Sequence, residues 1–216
     1  MDDGPPVAVA VATPLTLGGP WTVAFPPDRG APPAVTLSEL RSLSDSADSG
    51  VKYFSGAATY HHSLDVPADW LGPNRRVVLD LGRVEVIAQV RVNGRDVGLL
   101  WKAPYRVDVT AAVHAGVNDL EVRATDLWVN RLIGDEQLPP ENQYEHDGAH
   151  GILQLPSWYR DGAQKPRGGR VTFLAWQFYT KDEPLLASGL LGPVRLFSAV
   201  QRVLEWPSRG AAGPNG

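Results

Sequence analysis

The stretch VIAQVRVNGRDVGLLWKAPYRVDV, which runs from Val86 to Val109, decides the fold that this sequence predicts. Apolar and polar residues alternate along Val86–Val92, a pattern typical of a strand with one buried face. Asn93-Gly94 accepts positive φ angles at both positions, so a two-residue type I′ turn is expected between two antiparallel strands. Pro104 cannot donate to a ladder, so it separates the second strand from a third. The stretch therefore predicts three successive antiparallel strands at the centre of a sheet.

The same alternation assigns the side chains after the turn to two faces. Trp101 shares its predicted face with Val97 and Leu99, so we expect it in the core. Lys102 and Arg106 point outward, where a ligand or water can reach them.

Short alternating segments recur along the rest of the chain. Gly (22) and Pro (19) are abundant, have no repeat period and separate these segments as turns do. Further strands are predicted at Trp21–Phe25, Tyr53–Val66, Arg75–Leu81, Leu120–Thr125, Val171–Tyr179 and Ser188–Leu196. The prediction is an all-β protein: a single antiparallel β-sandwich of the jelly-roll type over residues 19–200, with a linker or disordered tail over 1–18 and a C-terminal tail over 201–216.

One long segment interrupts the strands. Asp126–Arg170 follows the strand that ends near Thr125 and shows no strand alternation. A loop of this length inside a compact domain is functional or badly ordered, and its aromatic and apolar content favours order. We therefore expect a long ordered insertion loop that carries functional residues.

Composition excludes several classes of function. A net charge of −4 with mixed signs argues against nucleic acid as the main partner. The chain has no Cys, which excludes disulfides and thiolate chemistry. The segment before Trp21 lacks a basic region, and Pro14 follows its short apolar run, so neither a signal peptide nor a membrane contact is expected.

Metal binding and cofactors are not expected either. His61 and His62 alternate along a strand, so they point to opposite faces and do not share one metal. Metal-ligating residue types in the insertion, at irregular spacing, are His146, Asp147 and His150. A structural calcium ion held by Asp126, Asp135 or backbone carbonyls is the alternative, although no loop shows a calcium-binding spacing.

Several motifs resemble the sugar-binding jelly-roll domain of glycoside hydrolase family 2. These are Asp65-Val-Pro67, Leu79-Asp-Leu-Gly82, Val90-Arg-Val-Asn93-Gly94, Pro104-Tyr-Arg-Val-Asp-Val-Thr110, Gly116-Val-Asn118 and Gly189-Leu-Leu-Gly-Pro-Val194. Longer motifs resemble the C-terminal domain of α-L-rhamnosidases of glycoside hydrolase family 106: Lys52-Tyr-Phe-Ser-Gly56, Leu100-Trp-Lys-Ala-Pro-Tyr-Arg106, Leu127-Trp-Val-Asn-Arg-Leu-Ile-Gly-Asp-Glu-Gln137 and Thr180–Pro193. The resemblance covers the chain from about Trp21 to Phe197 and implies a galactose-binding-domain-like fold.

The resemblance also implies a function in context. Enzymes of that family are several times longer and carry a catalytic barrel, whose catalytic carboxylates have no match here. It therefore implies a carbohydrate-binding accessory domain of a rhamnosidase-like glycoside hydrolase, with a rhamnoside or galactoside as ligand, a catalytic barrel as a further partner, and a secreted or periplasmic location.

Candidate sugar-binding residues lie mainly on the insertion. Trp128 can stack on a sugar ring, and the polar residues after it offer the donors and acceptors that hydroxyl groups need. The predicted set is Trp128, Asn130, Arg131, Asp135, Glu136 and Trp176, bordered by Lys102 and Arg106. The structural alternative is that Arg131 pairs with Asp135 or Glu136 to hold a long loop in place.

Two other functions stay open. A small stand-alone glycoside hydrolase needs two carboxylates, about 5 Å apart for retention and wider for inversion. The pairs to test combine Asp135 or Glu136 with Asp182 or Glu183. A purely structural domain would instead bury an apolar edge against the catalytic barrel.

Overall fold

The computed structural model describes residues 7–11, 13–145, 151–166 and 169–203, and the side chains of 13–145, 151–166 and 169–200. The described residues form mainly antiparallel strands, which confirms the predicted all-β class. The strands are β1 (Val7–Val11), β2 (Leu15–Thr16), β3 (Trp21–Ala24), β4 (Ala34–Leu37), β5 (Ala57–Val66), β6 (Arg75–Asp80), β7 (Arg83–Glu85), β8 (Ile87–Val92), β9 (Arg95–Leu100), β10 (Arg106–Asp108), β11 (Gly116–Thr125), β12 (Gly189–Gly192) and β13 (Arg195–Val203). The helices are α1 (Ser49–Lys52), α2 (Val129–Asp135) and α3 (Ser157–Arg160), with 3-10 turns at Leu43–Asp45 and Ala68–Trp70.

Two large antiparallel sheets form the sandwich. One has the strand order β4-β3-β5-β11-β8-β9, and the other has the order β1-β13-β6-β10 with β2 also paired to β13. A two-stranded sheet joins β12 to β7. Alternating apolar residues of both large sheets fill the space between them; those of β11, Leu120, Val122 and Ala124, are fully buried.

The predicted hairpin is confirmed. Asn93 and Gly94 have φ angles of 51° and 74°, as a type I′ turn requires. The Asn93 amide group also donates to the carbonyl of Ala112 and to Oδ1 of Asn118, at 2.9 and 2.8 Å. The turn is therefore tied to the start of β11 as well as to its own strands.

The predicted position of the three strands is wrong. β9 is the edge strand of the six-stranded sheet, and β10 pairs with β6 in the opposite sheet. The segment 101–105, which contains Pro104, carries the chain from β9 in one sheet to β10 in the other. Strands that follow one another in the sequence are thus not all paired in one sheet.

The predicted burial of Trp101 is also wrong. Val90 pairs with Gly98 whereas Arg91 pairs with Asp96, so Val97 is an extra residue in a β-bulge. A one-residue insertion exchanges the two faces of a strand. Trp101 is consequently 65% exposed, and Leu100 packs against the core in its place.

Two other segments differ from the sequence prediction. In the predicted N-terminal linker, Val7–Val11 and Leu15–Thr16 form β1 and β2, which pair with β13. No strand is present over Val171–Tyr179, where the first two amides donate to a side chain of α2 rather than to a neighbouring strand. A polar residue on a helix has thus replaced a sheet partner for this segment.

The long insertion is ordered over its described part and contains α2 and α3. Within residues 7–11, 13–145, 151–166 and 169–203, no helix is long and apolar enough to cross a membrane.

Candidate functional site

The candidate site is built around α2, which directly follows β11 and the residues Asp126, Leu127 and Trp128. This helix turns Asn130, Arg131, Ile133, Gly134 and Asp135 into the protein. A Cβ atom on Gly134 would collide with Tyr53, so the glycine lets α2 lie close against the sandwich. Close packing buries the polar side chains of α2 and obliges them to find partners inside the protein.

Asn130 holds the segment that leads into β12. Its Nδ2 donates to the carbonyl of Leu186, and its Oδ1 accepts the Leu186 amide, both at 2.8 Å. The amide group of Asn130 therefore replaces a strand partner for that backbone.

Asp135 holds the start of the segment from Val171 to Tyr179. Its carboxylate accepts the amides of Val171 at 3.1 Å and Thr172 at 2.7 Å, and the Thr172 hydroxyl at 2.6 Å. The guanidinium Nε of Arg131 lies 3.0 Å from the same carboxylate, and both side chains are buried. The pairing of Arg131 with Asp135, which the sequence offered as the structural alternative, is therefore present.

Glu136 holds the other end of the insertion. Its carboxylate pairs with the Arg170 guanidinium at 2.6 Å, and Arg170 also donates to the carbonyls of Pro139 and Leu138. We call Asn130, Arg131, Asp135 and Glu136, with these partners, the α2 clamp. The clamp uses the polar atoms that the sequence assigned to sugar hydroxyls, and direct sugar contact by these four residues stays a prediction.

The other predicted sugar-binding residues lie on the surface. Trp128 is 45% exposed, with the Arg29 guanidinium 5.2 Å from its ring centre. Trp176 is 50% exposed and meets the ring of Phe178 edge-on at 5.6 Å. Both rings offer apolar faces to a ligand.

Lys102 and Arg106 lie on a different part of the fold, at the crossover from β9 to β10. The ammonium group of Lys102 lies 5.2 Å from the Trp101 ring centre. Arg106 pairs with Asp80 at 2.8 Å and lies over the ring of Phe197. These two cations therefore make contacts at the surface, in a part of the chain distant from α2.

The carboxylates proposed for a stand-alone hydrolase have two kinds of environment. Asp135 and Glu136 are held in the α2 clamp, whereas Asp182 and Glu183 are exposed. A catalytic pair among these carboxylates stays a prediction.

A cavity of about 190 Å³ lies beside the N-terminal end of α2. Its walls combine apolar side chains with a few polar ones: Arg83, Glu85, Val86, Asp126, Leu127, Val129, Asn130, Leu186, Ala187 and Ser188. Such a mixture is typical of pockets that take small polar molecules.

Asp126 is one of the residues that line this cavity, and the sequence suggested it only as a calcium ligand. Its Oδ1 accepts the amide of Gly189 at 2.8 Å. Its Oδ2 and the hydroxyl of Ser188 are buried and have no hydrogen-bond partner among the described residues. Burial raises the pKa of Asp126 to about 7; the Gly189 amide opposes this shift and nearby Glu85 adds to it. Only the position of Asp126 directly after β11 could have drawn attention to it from the sequence.

The metal-binding candidates lie in several parts of the chain. His146, Asp147 and His150 lie outside the described residues. Over the ranges that the structure covers, no three His, Cys, Asp or Glu side chains form a group that could hold a metal ion. His62 contacts Trp21 with ring centres 4.3 Å apart, and its ring nitrogens lie against the carbonyls of Gly18 and Ser63. The structural calcium ion stays a prediction.

Comparison with known proteins identifies the domain. A family model described as "Glycosyl hydrolase 2 galactose-binding domain-like" matches residues 43–155, just over half of the chain. The chain belongs to this family. The resemblance to the family 2 sugar-binding domain is thereby confirmed.

The relatives of this galactose-binding-like domain are much longer proteins. It is 46% identical over 195 residues to a Formosa agariphila protein named "Putative beta-glucuronidase", a match that covers 90% of this chain and 16% of that protein. It is 42% identical to a rhamnosidase of known structure from Novosphingobium sp. PP1Y, with a TM-score of 0.69 and coverage of 88% of this chain and 15% of the other. The chain therefore spans about one sixth of the length of these two relatives.

A more distant neighbour shows the fold alone. A b-glucuronidase from Ruminococcus gnavus, solved in complex with C6-substituted uronic isofagomine, is 18% identical, with a TM-score of 0.52 and coverage of 87% of this chain and 29% of the other. The galactose-binding-like sandwich is thus shared between proteins named as glycosidases, in each of which it forms a small part.

Proposed function

We propose that this domain is a carbohydrate-binding accessory domain of a rhamnosidase-like glycoside hydrolase of family 106. The observation that carries the proposal is the match to the Novosphingobium rhamnosidase, which is 42% identical over 88% of this chain but is covered to only 15%. Nearly all of this chain thus corresponds to a small part of a protein named as a glycosidase, which supports an accessory role in a larger chain.

The geometry of the N-terminal end of α2 supports sugar recognition. The exposed ring of Trp128 is adjacent in sequence to Leu127, which lines the cavity around Asp126. Sugars bind where an apolar ring face lies beside a few hydrogen-bonding groups. We therefore place the sugar at Trp128 and the cavity, with a rhamnoside or galactoside as the ligand class.

A second candidate function is a structural domain that packs on a catalytic barrel. Nine of the thirteen exposed large apolar side chains of the described residues lie between Asp126 and Ala187: Leu127, Trp128, Leu138, Leu153, Leu155, Tyr159, Trp176, Phe178 and Leu186. Apolar side chains that are exposed and form a continuous patch are typical of a surface that another protein part covers. This function needs no sugar.

Calorimetric titration of the 216-residue chain with methyl α-L-rhamnoside and methyl β-D-galactoside separates the two functions. Sugar recognition predicts saturable binding of at least one of them, and about a tenfold loss of affinity in Trp128→Ala, because stacking on an aromatic ring contributes on the order of 1 kcal/mol or more. Leu99→Ala is the matched control, since Leu99 is exposed but lies on the edge strand β9.

The opposite results have a clear meaning. If neither glycoside binds the unaltered chain, sugar recognition is refuted. Concentration-dependent self-association in sedimentation, weakened by a Trp176→Ser and Phe178→Ser double substitution, would then support the structural domain. Sugar binding by a chain that stays monomeric at high concentration would refute it.

A further inference from the structure

We propose that a second pocket, between α1 and α2, binds a carboxylate group through the guanidinium of Arg131. This pocket shares no lining residue with the cavity around Asp126, so the proposal goes beyond the sugar recognition placed there. The observation that carries it is a buried cation at the wall of a pocket, with N–H donors that no described residue uses.

Arg131 is a buried cation with unused donors. It is 6% exposed, and an arginine guanidinium carries five N–H donors. Its Nε lies 3.0 Å from Asp135 Oδ1, but this ion pair lacks the geometry of a hydrogen bond. The Asp135 carboxylate instead accepts hydrogen bonds from Val171 and Thr172. Asp135 therefore places a negative charge beside Arg131 and leaves its N–H donors unused.

The outer nitrogen atoms of Arg131 lie at the pocket. Nε is shielded from solvent, whereas Nη1 and Nη2, which also lack hydrogen bonds within the described ranges, retain accessible surface. Gly30 and Gly134 line the pocket together with Arg131, and a Cβ atom on them would lie 3.0 Å from Nη1 and 2.6 Å from Nη2. The two outer nitrogens are therefore at the pocket wall, where a ligand can reach them.

The rest of the pocket suits a small polar ligand. Its volume of about 180 Å³ corresponds to about six waters at about 30 Å³ each, which is more than a carboxylate group needs. Ser49, Tyr53 and Gln137 add side chains that form hydrogen bonds to the lining. A ligand oxygen can thus meet a hydroxyl or an amide in addition to the guanidinium.

Charge and shape select a carboxylate. The two outer nitrogens of a guanidinium match the two oxygens of a carboxylate in a bidentate pair. Lys52 adds a second cation: its Nζ lies 5.7 Å from the ring centre of Tyr53, and it forms no ion pair with a described residue. The nearby Asp48 already accepts the Val51 amide at 3.0 Å as the N-cap of α1.

The test is an NMR titration of the 216-residue chain at pH 7 with sodium acetate and with methyl β-D-glucuronide. We expect saturable shifts of the Arg131 Nε–H signal and of the Gly30 and Gly134 amides, which lie at the pocket. Methyl β-D-glucoside, the uncharged counterpart, should bind at least about tenfold more weakly, because it cannot form the charged bidentate pair. Tighter binding of the glucuronide than of acetate would identify an acidic sugar as the source of the carboxylate, and the reverse would identify a small organic acid.

Two variants locate the site. Arg131→Lys keeps a positive charge beside Asp135 but loses the bidentate geometry, so carboxylate affinity should fall at least about tenfold. Ser49→Phe alters an exposed lining residue and obstructs the pocket, so it should weaken binding as much and keeps the test valid if Arg131→Lys fails to fold. The matched controls are Arg123→Lys and Ser63→Phe, at exposed strand positions outside the lining, and both should leave the affinity unchanged.

Three results would overturn the proposal. The first is the absence of a saturable shift with either carboxylate, or equal shifts with sodium chloride at the same ionic strength. The second is equal affinity for the glucuronide and the glucoside. The third is unchanged acetate affinity in both Arg131→Lys and Ser49→Phe. Each of them leaves the proposed sugar recognition standing, since that depends on the rhamnoside and galactoside titrations and on Trp128→Ala.

Discussion

The sandwich and the insertion are held together by different forces. In the sandwich, alternating side chains such as Leu120 and Val122 are fully buried between two sheets. In the insertion and the segment that follows it up to residue 186, which we here treat together as the insertion region, backbone is fixed by polar side chains of α2, chiefly Asn130 and Asp135. The sandwich depends on many small apolar contacts, whereas the insertion region combines aromatic packing among Trp158, Tyr159 and Phe173 with individual buried polar contacts.

This difference indicates that the insertion can be altered without loss of the frame. Hydrophobic burial is distributed and changes gradually, but removal of one partner from a buried ionic contact leaves the other charge unsatisfied. Function that requires adjustable loops is thereby placed on a frame that does not depend on them.

The largest local effect is expected from Asp135→Ala. The substitution leaves the buried Arg131 cation unpaired and removes the acceptor of two backbone amides, so we expect the insertion to lose about 4 kcal/mol of stability. Hydrogen exchange should show loss of protection at Val171 and Thr172. Asp182→Ala, which alters an exposed acid of the same region, is the control. Unchanged protection at both amides would contradict the conclusion that Asp135 holds this segment in place.

A global effect is expected from Leu120→Ala. Leu120 lies on β11 between β5 and β8 and is fully buried, so we expect a loss of about 3 kcal/mol in the free energy of unfolding. Urea denaturation measures it, and hydrogen exchange should rise throughout the sandwich. Val117→Ala on the same strand is the control, because Val117 is exposed. A loss confined to the insertion would contradict the separation of the two regions.

A pH effect is expected where the two regions meet, at Asp126. Its pKa rises from 3.8 to about 7 on folding, so the folded state binds more protons than the unfolded state between these values. The contribution of Asp126 to the free energy of unfolding should therefore be fully present below about pH 4. It should fall as the pH rises towards 7, by at most about 1.4 kcal/mol per pH unit. Urea denaturation from pH 4 to 8 measures the slope. Asp126→Asn should flatten it, and identical pH profiles would refute the assignment.

The smallest effect is expected from Trp101→Ser. Because the bulge at Val97 places Trp101 in solvent, the free energy of unfolding should change by no more than about 0.5 kcal/mol. Trp21→Ser is the contrasting change, since Trp21 is buried and its loss should destabilise the sandwich severely. A large loss of unfolding free energy in Trp101→Ser, measured by urea denaturation, would indicate that Trp101 lies on the buried face, as simple alternation predicts.

The sequence predicted the turn and many of the strands better than it predicted which strands pair with each other. Local chemistry is sufficient for the Asn93-Gly94 turn, since both φ angles are a property of these two residues. It is not sufficient for the partner of β10 or for Val171–Tyr179, because pairing depends on which groups the rest of the fold presents. The predicted sugar-binding residues have different environments in the structure: Trp128 is exposed, whereas Asp135 is buried in the α2 clamp.

By itself, the sequence determined the all-β class, the hairpin at Asn93-Gly94 and the glycosyl hydrolase 2 galactose-binding-like family, because alternation, turn chemistry and short motifs are local properties of the chain. The tertiary structure alone decided which side chains are free. Arg131 and Asp135 have the residue types of a sugar site, yet close packing of α2 turns them towards each other. Asp126 and Ser188 keep unpaired oxygens because the backbone holds them where no other side chain reaches among the described residues.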